Sequence, residues 1–265
     1  MENKTYALIT GSSQGIGKAY AMELAKRGHN LLLVALPEPK LEETTNQIKA
    51  EFKIEVRSFG VDLSQADGPQ KVYDWCTKNS FAVNILINNA GIAGTTIFEN
   101  SPLEYSDVRI LVNIRALVLL CRLFIPELKK QPKAYILNTG SLSAYYSIPY
   151  KSVYSASKAF VLNFTRAIRD ELHGTKVSVS VVNPNGVYTN EGTFGRINAH
   201  GSKGKMTATS ADELAKIAIN GMFKGKAVIV PLFINKFLVF LHKVLPAGLE
   251  QRILRNEFMK EVKVS

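Results

Sequence analysis

Short apolar runs alternate with helical patterns from one end of the chain to the other. Seven runs have strand length, at residues 6–10, 30–35, 56–61, 84–88, 134–139, 177–183 and 227–231. Several are almost wholly Val, Ile and Leu, the pattern of parallel strands covered on both faces. This strand–helix–strand alternation predicts an α/β fold, a doubly wound seven-stranded parallel sheet flanked by helices. No repeat or low-complexity linker divides the 265 residues, so residues 1–265 are read as a single domain.

Two stretches depart from the pattern. Residues 190–207 are rich in Gly and Lys and suit a mobile segment, and 190–223 is read as a substrate lid region closing on a helix with a Ser210-x-x-Glu213 capping box. Residues 232–245 are apolar nearly all round if helical, and 232–265 is read as a C-terminal helical extension. Three roles compete for it: a cover over a pocket, a subunit contact, or a helix on a membrane surface with Lys and Arg at its edges. Earlier in the chain, Ser101-Pro102 predicts the N-cap and first position of a long helix.

Composition narrows the function. The net charge of +11 raises the question of nucleic acid, but the basic residues are spread along the chain and no Lys/Arg run interleaves with aromatics. A basic surface attracting an anionic ligand is the better reading. Cys76 and Cys121 are too few for a disulfide framework, and the four histidines are scattered, so no metal site is expected. No apolar run approaches the ~18 residues of a membrane span. The first apolar run begins at Tyr6, without room for a signal peptide, and a cytoplasmic location is expected.

The candidate chemistry lies in two places. Thr10-Gly11-Ser12-Ser13-Gln14-Gly15-Ile16-Gly17 leaves a strand and opens a helix. Glycines there permit a tight turn, and the helix start offers free N–H groups to a phosphate; a purely structural turn is the alternative. Further on, Tyr154 and Lys158 stand four apart on a predicted helix, hence on one face. An ammonium beside a phenol favours the phenolate and suits the phenol to proton exchange. A surface Tyr beside a solvated Lys is the bland alternative.

Together, the Gly11–Gly17 turn, Asn88-Asn89-Ala90-Gly91, Ser141 thirteen residues before Tyr154, and Tyr154-x-x-x-Lys158 resemble the short-chain dehydrogenase/reductases, which have a Rossmann-like fold. The tail is similar to that of the branch acting on fatty-acyl and steroid-type ketones. The resemblance implies an NAD(P)-dependent oxidoreductase interconverting a carbonyl and an alcohol, with Asn113, Ser141, Tyr154 and Lys158 as catalytic residues. Gly11, Ser13, Gln14, Gly15, Ile16 and Gly17 would then hold the pyrophosphate. Leu36, Asp62 and Leu63 would face the adenosine end, with Asp62 on the adenine edge or merely closing a turn. Asn89, Ala90 and Gly91 would pass beneath the cofactor, and Tyr154 and Lys158 would touch it too. Asn183-Pro184-Asn185-Gly186-Val187-Tyr188-Thr189 matches the family's nicotinamide segment, with Asn185 where Gly is usual. Pro184, Val187 and Thr189 would contact the cofactor there, and Asn185 would take left-handed backbone.

Neither an acid nor an Arg stands at Leu36, so the choice between NAD and NADP is open at this stage. Tyr145, Tyr146, Ile148 and Tyr150 would line an apolar substrate pocket or pack their loop, and Phe160, Leu162 and Phe164 suit packing, some at a subunit contact in a homodimer or homotetramer. A lipophilic carbonyl substrate follows from the resemblance and the tail. The rival reading is a non-catalytic nucleotide sensor on the same fold.

Overall fold

Side chains on β1 (Thr5–Thr10) show why the strands read as unbroken apolar runs. Ala7 and Ile9 enter the apolar layer on one face of the sheet, Tyr6 and Leu8 the layer on the other. Both faces are covered, so alternation of direction brings no alternation of polarity. The computed structural model describes residues 4–262. Its seven-stranded sheet runs in the order β3 (Val56–Gly60), β2 (Asn30–Ala35), β1, β4 (Ala82–Asn88), β5 (Ala134–Thr139), β6 (Val177–Val182) and β9 (Val228–Ile229). Every pairing is parallel. A two-residue pairing of β7 (Val187–Tyr188) with β8 (Thr209–Ser210) lies apart and was not foreseen.

Helices α1 (Gly15–Lys26), α2 (Pro39–Glu51) and α9 (Ala211–Phe223) cover one face through Tyr20, Leu24, Ile48, Leu214 and Ala218. On the other lie α3 (Gly68–Lys78), α5 (Leu117–Lys130) and α6 (Ser152–Glu171), through Val72, Leu120, Phe124, Val161 and Ile168. The strand order reverses between β1 and β4, which opens a crevice at their carboxyl ends. The candidate site is built there.

The helix expected from Ser101 starts later. Ser101 Oγ donates back to Phe98 O (2.8 Å), closing the preceding turn, and Pro102 is left at the cap of α4 (Leu103–Ile110). Nor is the helix continuous: residues Leu111–Ala116 form a π-helical turn before α5. Such turns widen a helix locally and often sit at functional sites. The Gly- and Lys-rich segment folds into two short helices, α7 (Glu191–Ala199) and α8 (Gly201–Thr207). Ser210 caps α9 by accepting from Glu213 N (3.1 Å), but Glu213 accepts from Thr209 Oγ1 instead of completing the box. α9 itself is an integral layer of the sheet domain. The tail forms α10 (Phe233–Val244) and α11 (Ala247–Val262).

Candidate active site

The glycine turn is locked from beneath. Gly11 and Gly15 have φ of 65° and 56°, which glycine adopts without a steric penalty. A Cβ on Gly17 would stand 2.0 Å from Gly11 O, so α1 can start here only with glycine. Asn89 Nδ2 donates to the carbonyls of Thr10 and Gly11 (both 3.1 Å), and Thr10 Oγ1 accepts from the Asn89 and Ala90 amides (3.0 and 3.1 Å). The loops after β1 and β4 are thus one rigid unit. Asn88 turns the other way, into the sheet, donating to Asn138 Oδ1 (2.9 Å).

Across the crevice, a Cβ on Gly15 would meet Thr189 at 3.2 Å. The phosphate turn and the predicted nicotinamide segment therefore face each other, as one extended dinucleotide requires. Val187 is buried in the apolar layer with Leu214 and Ala215, so its side chain belongs to the core more than to an open cleft. Pro184 O accepts from Leu142 N (2.7 Å) and joins this segment to the turn after β5. Asn185 is not left-handed; its amide instead approaches Asn235 Oδ1 of α10 (3.5 Å).

At the adenosine end, Leu36 is half exposed. The Asp62 carboxylate accepts from the Ser64 amide and hydroxyl (2.8 and 2.7 Å) and from Gln65 Nε2 (3.2 Å). The Ser64 bonds hold its pKa below the usual carboxylate value. Asp62 thus closes the turn, with Leu63 buried beside it. Lys40 Nζ lies 3.3 Å from Gln14 Oε1, which brings a cation to the start of α1. Ser13 O accepts from Thr44 Oγ1 (2.8 Å), pinning the turn to α2.

The reacting end converges on Lys158. Its ammonium is buried, donates to Thr139 O (2.8 Å) and lies 5.9 Å from the Tyr154 ring centre. Burial lowers its pKa from 10.5 to about 8, so at neutral pH it stays mostly charged at a cost to the fold of about 3 kcal/mol. A Cβ on Gly91 would stand 3.4 Å from this ammonium and 3.2 Å from Asn113 Oδ1, so Gly91 leaves room for both.

Asn113 sits in the π-helical turn and is satisfied outside it. Its Oδ1 accepts from Ile92 N (2.7 Å); its Nδ2 donates to Ile92 O (3.0 Å) and Ser157 Oγ (3.1 Å). Helix backbone alone does not hold it. Ser141 follows β5, with its N–H on Asn183 Oδ1 (3.2 Å) and its hydroxyl accepting from Ser143 N (3.2 Å). The same hydroxyl acts on the Tyr154 phenol, favouring its ionised form.

The phenol's pKa is raised, not lowered. Burial is the largest cause, and Ser141 and the charge of Arg196 oppose it only in part. The helical spacing alone had suggested depression by Lys158; desolvation overrides it. The site therefore carries a protonated phenol, suited to donating.

Four contributors went unread in the sequence. Ser157 and Asn183 orient Asn113 and Ser141, and no local pattern distinguishes either from a core polar residue. Lys151 and Glu261 pair at 2.7 Å, and Glu261 also accepts from His200 Nε2 and Thr95 Oγ1 (both 2.7 Å). One buried carboxylate so joins the start of α6, the turn between α7 and α8, the loop after β4 and α11.

A dinucleotide fits this crevice, on three observations: the left-handed glycines, the close packing that bars a Cβ at Gly17, and the Gly91 floor under Lys158. Comparisons with known proteins agree. Residues 5–199 match the short chain dehydrogenase family model. The very-long-chain 3-oxoacyl-CoA reductase of Rattus norvegicus is 34% identical over 183 residues, covering 68% of this chain and 58% of that protein. The chain thus matches less than two thirds of that relative's length. Human 17-beta-hydroxysteroid dehydrogenase type 3 is 30% identical over 270 residues, covering 98% of this chain and 83% of that protein. A short-chain dehydrogenase from Sphingobium yanoikuyae, solved in complex with NADPH, superposes with a TM-score of 0.76 at 26% identity, covering 91% of this chain and 96% of that chain. With that match and this geometry, the chain belongs to the short chain dehydrogenase family, whose members are NAD(P)-dependent oxidoreductases.

Proposed function

We propose that the protein reduces the carbonyl of a lipophilic substrate, a 3-oxoacyl thioester or a steroid-type ketone, to an alcohol. The observation that carries this is the buried Lys158 ammonium 5.9 Å from the Tyr154 ring, with Ser141 acting on the same phenol. A reduced nicotinamide bound in the crevice supplies the hydride. Ser141 holds the carbonyl oxygen, and Tyr154 gives it a proton as negative charge develops there. Lys158 stabilises the resulting phenolate and offers donors to the ribose. Asn113, fixed by Ile92 and Ser157, supports proton resupply toward Lys158.

The reading includes NADPH as the reductant. Lys40 beside Gln14 puts a cation near the adenosine end, and Leu36 presents no acid to repel a 2′-phosphate. Absorbance assays with 3-oxoacyl thioesters and steroid ketones should show NADPH consumed faster than NADH. Lys40→Ala should shrink that preference about tenfold, in line with the loss of a charge-assisted contact. Tight cofactor binding without turnover on either substrate class would favour a sensor instead.

A homodimer or homotetramer belongs to the same reading. Leu103, Ile110 and Phe160 are exposed on α4 and α6, which pack side by side. Phe160 stacks on Phe164, whereas Leu162 is committed to the core. Sedimentation velocity at micromolar concentration should show the oligomer, and a Leu103→Glu variant should dissociate it; a wild-type monomer contradicts it. Both cysteines are buried and unpaired, which supports a reducing, cytoplasmic setting.

A further inference from the structure

The polarity of α10 is inverted. Its one buried residue is Asn235, while Phe233, Phe237, Phe240 and Val244 are 82%, 48%, 60% and 61% exposed. At 100° per residue these four fall within an arc of about 60°. Exposed Lys236 and Lys243 lie together along one edge of the stripe. On α11, Leu249 and Ile253 are exposed beside Arg252 and Arg255.

Polar groups hold the two helices down. Asn235 Nδ2 donates to Thr207 O (3.0 Å), His242 Nδ1 pairs with Glu250 (2.7 Å), and Gln251 Nε2 donates to Ser147 O (3.1 Å). The acids of α11 turn inward in the same way: Glu250 and Glu261 are buried, and Glu257 is paired with His200 and Lys260. The outer surface is therefore apolar and basic, with the anionic groups withdrawn. A soluble helix normally has the reverse arrangement.

We propose that this face docks on an anionic lipid bilayer. An apolar stripe rimmed by Lys and Arg is the arrangement that partitions into the headgroup boundary and is attracted to negative lipid. The charge argues against a second copy of the chain. A two-fold contact would set Lys236, Lys243, Arg252 and Arg255 against the same cations. Spanning is not involved, since among the described residues no helix is long and apolar enough to cross a membrane.

Docking has a use at this position. The α10 helix packs on the turn that follows Ser141, and His242 lies edge-on to Tyr146 at 4.9 Å. The bilayer would lie beside the mouth of the crevice, and a lipophilic carbonyl would pass into it without crossing water. This last step rests on the proposed substrate class; the docking itself does not.

The test is vesicle flotation of the full chain. Phosphatidylcholine vesicles with about 30% phosphatidylserine should bind at least about tenfold more protein than neutral vesicles, and high salt should remove the difference. Phe237→Glu/Phe240→Glu should reduce binding at least about tenfold, with thermal stability and NADPH consumption on a small water-soluble ketone unchanged. Wild-type protein that ignores anionic vesicles, or a variant that binds as well as wild type, overturns the proposal. So does a variant that merely becomes monomeric while the wild type binds no vesicle, which would make the face a subunit contact. Flotation needs no turnover, so a failure of the reductase assignment would be seen separately.

Discussion

Tyr154→Phe is expected to bind reduced cofactor like the wild type and to lose between about a hundredfold and ten-thousandfold in turnover. The substitution removes one oxygen and leaves the ring beside Lys158, so the cofactor's resting place is preserved. What disappears is the phenol hydroxyl on which Ser141, at the end of β5, acts. Fluorescence titration of cofactor with single-turnover kinetics separates the two effects, and undiminished turnover sinks the mechanism. The pH profile carries a second signature. Burial raises the phenol's pKa above its ordinary value, which keeps it protonated through the working range, whereas Lys158 titrates at about 8. Reduction should therefore fall as pH rises through about 8 and the ammonium loses its charge. In Lys158→Met that inflection should vanish along with most of the activity.

Glu261→Gln is the expected largest loss of stability. Burial pushes the Glu261 carboxyl up, but hydrogen bonds and charge from His200 and Lys151 outweigh it and hold the pKa at about 2. Removing one member of a buried ion pair costs about 3–5 kcal/mol, here with the Lys151 ammonium left facing an amide. The pH dependence has two edges. A depressed carboxylate adds stability above its ordinary 4.5 and loses it as pH falls toward 2. His200 is raised by its bond to Glu261, so its share is present below 6.5 and fades as pH climbs through the raised value. Thermal melts across pH should show both edges in the wild type and a flattened profile in Glu261→Gln. His200 joins α7 to α8 in the segment proposed to close over substrate, so the variant should also raise KM more than it lowers kcat. A melting curve unchanged by the substitution would contradict this account.

Strands and the parallel sheet were legible because they rest on short-range pattern. Apolar runs point to the seven strands, and glycines at fixed offsets to the tight turn that opens α1. Less was readable where a side chain chooses between local and distant partners. Ser101 was placed as a helix cap, but its hydroxyl found Phe98 O first, and nothing in Ser-Pro decides between them. Asp62 was open between adenine and its own turn, and Ser64 and Gln65 claim it. The clasp at Glu261 joins Thr95 across 166 residues of chain, which no window can reveal. Pattern alone makes the tail apolar nearly all round; which side faces inward depends on Asn235 meeting Thr207 O of α8 and His242 meeting Glu250 of α11. Tyr154's raised pKa is likewise a property of burial, and spacing contains no information about it.

The buried ammonium at Lys158 has a bearing on how such a protein changes over generations. An uncharged residue of similar length there would shed the desolvation cost of the charge, on the order of 3 kcal/mol, set against the lost bond to Thr139 O. Selection on persistence alone would favour its loss, and only selection on turnover opposes this. A silent nucleotide binder is thus a downhill neighbour of this sequence, one substitution away. The ammonium at position 158 is the point at which the chain's history as a catalyst is most exposed to erosion.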